Sequence, residues 1–431
     1  MKAKFARFSD VFWFLPLTLG IVAVVLAQVL IAVDRLLDGA DLGLLTTLLY
    51  RVGASGSRSI LQAIGGSMLA VAATSFSITV SVLATASSTY GPRLVRNFMR
   101  DRANQFVLGI FGSTFLYSLM VLRSIGDESV TDGPFVPTIA VNVAVLLAVL
   151  DVAVLVFFIN HIATSIQVST LSARVRTELV AVVDTLYPEE HPDNAVPGVA
   201  PDKPFEEVSS RTSGFLLDIN EAALLRAASS NDAVIEVRVR PGDHIVAGEP
   251  LARVFPPDKA AEVGDSICSA VNFGVTRTPH HDIQFAVQQL VEMAVRALSP
   301  GTNDPYTAHN ALNELATGLV PMARRPAPQL GRVDGDRTLR LLVTRLPMTE
   351  LVDDVFVAVR LYALDAAVAM TAAIMLAKRI GIAAVDPDVR DAVLRHLGLI
   401  EAAEKASGSD IVNVVYVCGE IDLARTAVLA R

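Results

Sequence analysis

The chain has 431 residues, 52% of them hydrophobic and 19% charged, with a net charge of −8 and a mean hydropathy of +0.49. The acidic balance argues against a nucleic-acid partner, and the two cysteines, Cys268 and Cys418, both fall in the later part of the chain that is expected to be cytoplasmic, where thiols normally stay reduced. The hydrophobicity is concentrated, since every long apolar run lies before residue 160.

Four spans are expected, near residues 11–33, 59–85, 106–122 and 136–159, each close to the ~20 residues that cross hydrocarbon. The first follows Lys2, Lys4 and Arg7 as a signal peptide would. Its apolar run is too long and no small-x-small site follows, so it reads as an uncleaved span.

The second span carries the most pointed pattern. Ala63, Gly66, Ser67, Ala70, Thr74, Ser77, Ser81, Ala84, Thr85 and Ser88 fall within one sector of about 100° on a helical wheel. Ile60, Leu61, Ile64, Leu69, Phe76 and Val80 occupy the remainder. Such a small, hydroxyl-bearing face serves close helix packing, or lines a wet path when copies assemble around an axis.

Arg93, Arg96, Arg100 and Arg102 follow, against a single Asp101, whereas the next loop holds Asp127, Glu128 and Asp132. The positive-inside rule then places the arginine loop, and both termini, in the cytoplasm of a bacterial inner membrane. These arginines read either as ordinary topology anchors or as a cytoplasmic mouth that concentrates anions. Within the fourth span, Asp151 lies ~12 Å below the cytoplasmic boundary, at a depth where a carboxylate requires a partner, water or protonation.

Between Pro137 and Pro188 there is neither Gly nor Pro, so the fourth span is expected to run on through 161–187 as a helical stalk. One helix of ~50 residues would reach ~75 Å. The alternative is a break near Asn160-His161, with a separate amphipathic helix on the membrane surface. Pro188, Pro192, Pro197, Pro201 and Pro204 then mark 188–213 as a linker.

Residues 1–160 hold 11 basic and 9 acidic side chains, and the rest of the chain 25 and 35. That acidic remainder is expected to fold as a cytoplasmic α+β domain, with a small β-rich segment at 214–260 and a mainly helical part at 261–431. Phe215 to Ile219 and Ala233 to Arg240 read as strands. The run from Val239 to Val254 is similar to the strand-turn-strand of lipoyl and biotin carrier barrels, without a lysine for attachment. A small barrel or a hammerhead-like segment is therefore expected. Thr278-Pro279 and Asp304-Pro305 read as helix starts. Helices are expected over Thr349 to Arg379 and Pro387 to Lys405, and a strand at Leu339 to Arg345. Ile411 to Cys418 fits either class.

Several segments carry a family resemblance: Phe76-Ser77-Ile78, Tyr90-Gly91-Pro92-Arg93, Arg96-Asn97-Phe98, Phe158 to Ala163, Ser165-Ile166-Gln167, Asp282 to Phe285 and Ala297 to Ala308. Together they resemble an uncharacterised family of bacterial predicted membrane proteins, domain of unknown function 2254. The resemblance spans nearly the whole chain and implies an architecture without an activity. Asn160 departs from it, standing where the family more often has a second histidine, which weakens any paired-histidine role.

Enzyme signatures are sparse. There is no phosphate-binding Gly-Lys loop, nucleophile elbow or Cys-x-x-Cys pair. His280, His281 and Asp282 are adjacent and diverge on a helix, so a shared metal would need distant ligands. Asp282 and Asp304 read first as helix caps, and the Ser299, Gly301, Asn303, Asp304 loop as a candidate ligand cradle. The reading expects no cofactor and no metal. The leading functional expectation is an oligomeric channel for small ions, modulated by its cytoplasmic domain. The alternatives are a non-conducting sensor or scaffold, and a membrane enzyme using the Asp282 and Asp304 region.

Overall fold

The computed structural model describes residues 13–37, 53–90, 101–126, 135–165, 167–364 and 366–431, with backbone alone for 86–90. Two compact units are present, Met1–Thr170 and Leu171–Arg431.

The first unit holds four helices long and apolar enough to cross a membrane. They are α1 (Phe14–Leu36), α2 (Ala54–Tyr90), α3 (Arg102–Ser124) and α4 (Thr138–Ser165). At ~1.5 Å per residue each exceeds the ~30 Å of a hydrocarbon core. α3 is the hub, packing along α1, α2 and α4. Tyr117, Val121 and Ile125 meet Ile31, Leu61 and Ala140 toward one end, and Phe111 and Val107 meet Ala72, Phe158 and Ile162 toward the other. Since lipid is as apolar as these side chains, close packing holds the helices together. Gly109 permits it: a Cβ there would stand 2.7 Å from Leu19 Cδ1 and 3.0 Å from Pro16 Cα.

The helix expected to continue past residue 160 is two helices. α4 ends at Ser165 and α5 runs over Val168–Leu186, with Gln167 outside both. The absence of Gly and Pro permits a long helix without requiring one. Ser165 and Thr164 hydroxyls bond back to the His161 carbonyl, which loosens the final turn.

The second unit mixes helices with two open sheets. β1 (Ala195–Val196), β2 (Glu206–Ser209), β3 (Gly214–Ile219), α6 (Glu221–Ser230), β4 (Val234–Val237), β5 (His244–Ile245) and β6 (Pro250–Phe255) come first. Next are α7 (Ala260–Ala270), β7 (Val271–Gly274), α8 (Ile283–Ala297), α9 (Pro305–Arg324), β8 (Gly331–Val333) and β9 (Leu339–Leu342). The chain ends in α10 (Met348–Tyr362), α11 (Ala367–Ala383), α12 (Pro387–Ala406) and α13 (Ile411–Leu429). The six-stranded sheet has the order β1-β8-β9-β4-β6-β2, and the three-stranded sheet β5-β3-β7.

No closed barrel forms among the described residues. The strands expected to build one are shared between the sheets: β4 and β6 pair in the larger, whereas β5 pairs with β3 in the smaller. Gly242 (φ 100°) and Gly248 (φ 97°) turn the chain sharply on either side of β5. The Pro-rich segment is not a free linker either. It supplies β1 and β2, the two edges of the larger sheet, where strands that cannot pair on both sides belong. β9 pairs in parallel with β4, so one sheet crosses the expected boundary at residue 260.

The sheet core gathers Leu216, Ile235, Leu251, Val254 and Leu341 under Leu224, Val263 and Ile267 of α6 and α7. Ile411 to Cys418 is helical within α13. The long helix expected from Thr349 is broken between α10 and α11, around Ala363 and Ala366.

Candidate functional site

The small face of α2 points away from the other described helices. Leu61, Ile64 and Ala72 are buried, whereas Ser67, Thr74, Ser77, Ser81 and Thr85 are exposed. Hydroxyls on this face bond to their own helix: Ser67 to the Ile64 carbonyl at 3.0 Å, Thr74 to Ala70 at 2.9 Å and Thr85 to Ser81 at 3.1 Å. Packing among the described residues therefore does not account for the face. The side chain of Ser88, and Arg93, Arg96 and Arg100, lie outside the described residues; Arg102 is exposed at the start of α3.

Asp151 is 2% exposed. Neither carboxylate oxygen makes a hydrogen bond of good geometry among the described residues, and the buried Thr114 hydroxyl on α3 is the donor beside it. It is residue 14 of 28 in α4, the middle of the span.

Both ends of the unit are fastened by polar contacts that sequence reasoning did not find. At one end Asp34 of α1 accepts from the Ile139 amide at 2.9 Å and the Ala140 amide at 3.0 Å. A carboxylate from another helix thus caps the positive end of α4. Arg58 of α2 donates to the Ile125 and Gly126 carbonyls just past α3. At the other end Asp101 caps α3 by accepting from the Ala103 amide at 2.9 Å, and its second oxygen stands 2.6 Å from His161 Nε2. An aspartate before a helical run signals a cap in sequence; contacts between distant helices leave no such signal.

Membership of a family is decided over both units. A model described as a predicted membrane protein, DUF2254, matches residues 9–378. The chain is a member of the DUF2254 family. Uncharacterized proteins of Mycobacterium tuberculosis (strain H37Rv) and Mycobacterium bovis are similar to it. Each is 32% identical over 388 residues, covering 87% of this chain and 73% of the relative. No solved structure matches the chain.

The segments around Asp282 and Asp304 sit at helix junctions. Helix α8 begins after Asp282, not after Thr278. The Asp282 carboxylate accepts from the Phe285 amide at 2.9 Å and from Arg277 Nε and Nη2 at 2.6 and 2.8 Å. This fork-to-carboxylate pair is 3% exposed on the Asp282 side. Asp304 caps α9, accepting from the Thr307 amide at 3.0 Å and hydroxyl at 2.6 Å. Those bonds hold its carboxyl below the usual carboxylate range.

Asp282 precedes α8 and Asp304 follows it, so ~22 Å of helix separates them and they share no site. In the intervening loop the amides of Thr302 and Asn303 bond to the Ser299 carbonyl at 3.0 and 2.9 Å, and that of Asp304 to Ala297 at 2.8 Å. The candidate cradle thus spends these amides on its own turn, which Asn303 closes at φ 46°.

A cavity of about 240 Å³ lies among Tyr187, Met322, Arg325, Arg345, Met348 and Asp386. Its polar walls are committed: Arg325 holds the Val183 and Tyr187 carbonyls and Asp184, Arg345 pairs with Glu221, and the Tyr187 hydroxyl donates to the Leu346 carbonyl. Burial pushes that hydroxyl well above its ordinary range. No group of three His, Cys, Asp or Glu side chains suited to a metal occurs among the described residues.

Proposed function

We propose that this DUF2254 protein is a homo-oligomeric channel for small ions in a bacterial inner membrane, with both termini in the cytoplasm and its second unit modulating opening. The observation that carries the reading is the exposure of Ser67, Thr74, Ser77 and Ser81 along one face of α2. Rings of hydroxyls around an axis would make a weakly binding, hydrated path, and Arg102, with Arg93, Arg96 and Arg100, would favour anions at its mouth.

The non-conducting scaffold is supported by one observation of its own. The Thr74 and Thr85 hydroxyls are satisfied by carbonyls of their own helix, which suits a dry contact between copies.

Chloride flux from liposomes carrying the purified protein separates the two. The channel reading expects flux that falls at least about tenfold in Ser77→Leu and Ser81→Leu, with cross-linking of Ser77→Cys between subunits. Cross-linking without flux of any small ion establishes the scaffold, and a monomer in membranes removes both.

A further inference from the structure

Asp151 is the only Asp, Glu, Lys, Arg or His in the central stretch of the four described membrane helices. The charged groups of the packed elements lie near helix ends: Asp34 and Arg35 on α1, Arg58 on α2, Arg102 and Arg123 on α3. His161 lies four residues from the end of α4, paired with Asp101. Tyr117 is the other titratable neighbour on α3, and its hydroxyl is given to the Ala140 carbonyl at 2.9 Å.

From Asp151 to His161 is ten residues, ~15 Å, and to the Asp34-capped amide of Ile139 ~18 Å. Among the described residues no fixed cation therefore lies close enough to neutralise an ionised Asp151. An unpaired charge at that depth is costly; the Thr114 hydroxyl beside Asp151 is able to donate to the carboxylate or to accept from the protonated carboxyl. Further unsatisfied polar atoms lie along the same helix, at both amide atoms of buried Asn104 and at Ser118 Oγ. Each calls for water or a moving partner.

We propose that Asp151 is a reversible proton-binding site at the centre of the membrane unit. Its ionisation requires water to enter between α3 and α4 beside Thr114. Release of the proton then loosens the α3–α4 contact, and uptake closes it. The balance is one proton exchanged with water, with no other bond changed. The inference rests on the membrane assignment and is independent of conduction through the α2 face.

The test uses the full chain in lipid vesicles. Infrared difference spectra between about pH 5 and about pH 9 are expected to show a protonated-carboxyl band that disappears on raising pH and is missing from Asp151→Asn. Asp151→Glu, which keeps a titrating carboxyl, is expected to restore a band at a different frequency. In a Thr114→Cys background, labelling by a membrane-permeant maleimide is expected to rise about tenfold more with pH when residue 151 is Asp than after Asp151→Asn. A carboxyl band unchanged over that range overturns the proposal, as does one that responds to sodium at fixed pH. Equal labelling in the two backgrounds removes the coupling to helix separation.

Discussion

Asp101 Oδ2 and His161 Nε2 stand 2.6 Å apart, tying the first turn of α3 to the last turns of α4. Asp101 performs two tasks, since its other oxygen caps α3. Asp101→Ala removes both and is expected to destabilise the membrane unit by about 1–2 kcal/mol. Asp101→Asn retains a capping oxygen and is expected to recover about half of that. Thermal unfolding of the full chain in nanodiscs distinguishes the two variants; equal stability of wild type and Asp101→Ala rejects the role.

Asp34 and the start of α4 provide a second test. Its carboxylate satisfies two amides at a helix end otherwise without intrahelical acceptors. Asp34→Ala leaves them unpaired in a low-dielectric setting, at a cost of about 1–3 kcal/mol. The expected outcome is faster proteolysis of the α3–α4 connection in detergent, with Asp34→Asn intermediate.

Gly242 and Asp282 supply a third. A Cβ on Gly242 would collide with the Asp282 carboxylate and with Arg277, and the φ of 100° is one that L side chains rarely adopt. Gly242→Ala is therefore expected to cost at least about 1 kcal/mol, observable as a lower urea midpoint. Arg277→Ala, which strands a buried carboxylate, is expected to cost about 3–5 kcal/mol. Combining them should give less than the sum, because both act through Asp282.

Acid stability offers a fourth. Thr307 holds the Asp304 carboxyl low; Arg425 and Lys405 do the same for Glu401, and Arg340 for Asp334. Folded values below the unfolded ones near about 4 contribute stability above that pH and lose it as pH falls through the folded values. Urea unfolding should therefore be flat from about pH 7 to about pH 5 and weaken below about pH 4. Asp304→Asn, still able to cap, is expected to lessen the acid dependence; an unchanged acid limb argues against Asp304 as a contributor.

Much of the architecture was legible in sequence because it follows from local chemistry. Residues Phe14–Leu36 and Thr138–Ser165 are too apolar and too uniformly helical to be anything but long helices, and Asp304-Pro305 announced α9 through cap and proline. Where local signals compete, they failed. Thr278-Pro279 has the form of a helix start, yet Asp282, anchored by Arg277, is the residue that caps α8. The prolines of 188–213 suggested an unpaired linker, although proline is compatible with sheet edges, where β1 and β2 lie.

The small-residue face of α2 and the central position of Asp151 were set by the sequence, through helical periodicity and span length. Only the tertiary structure decided that the face is turned outward, that Asp151 is buried with Thr114 as its polar neighbour among the described residues, and that Asp34, Arg58 and the Asp101–His161 pair close the two ends of the unit. Periodicity assigns a residue to one side of its own helix. Which neighbour covers that side depends on contacts between segments more than 60 residues apart in several of these pairs, and no local pattern encodes them.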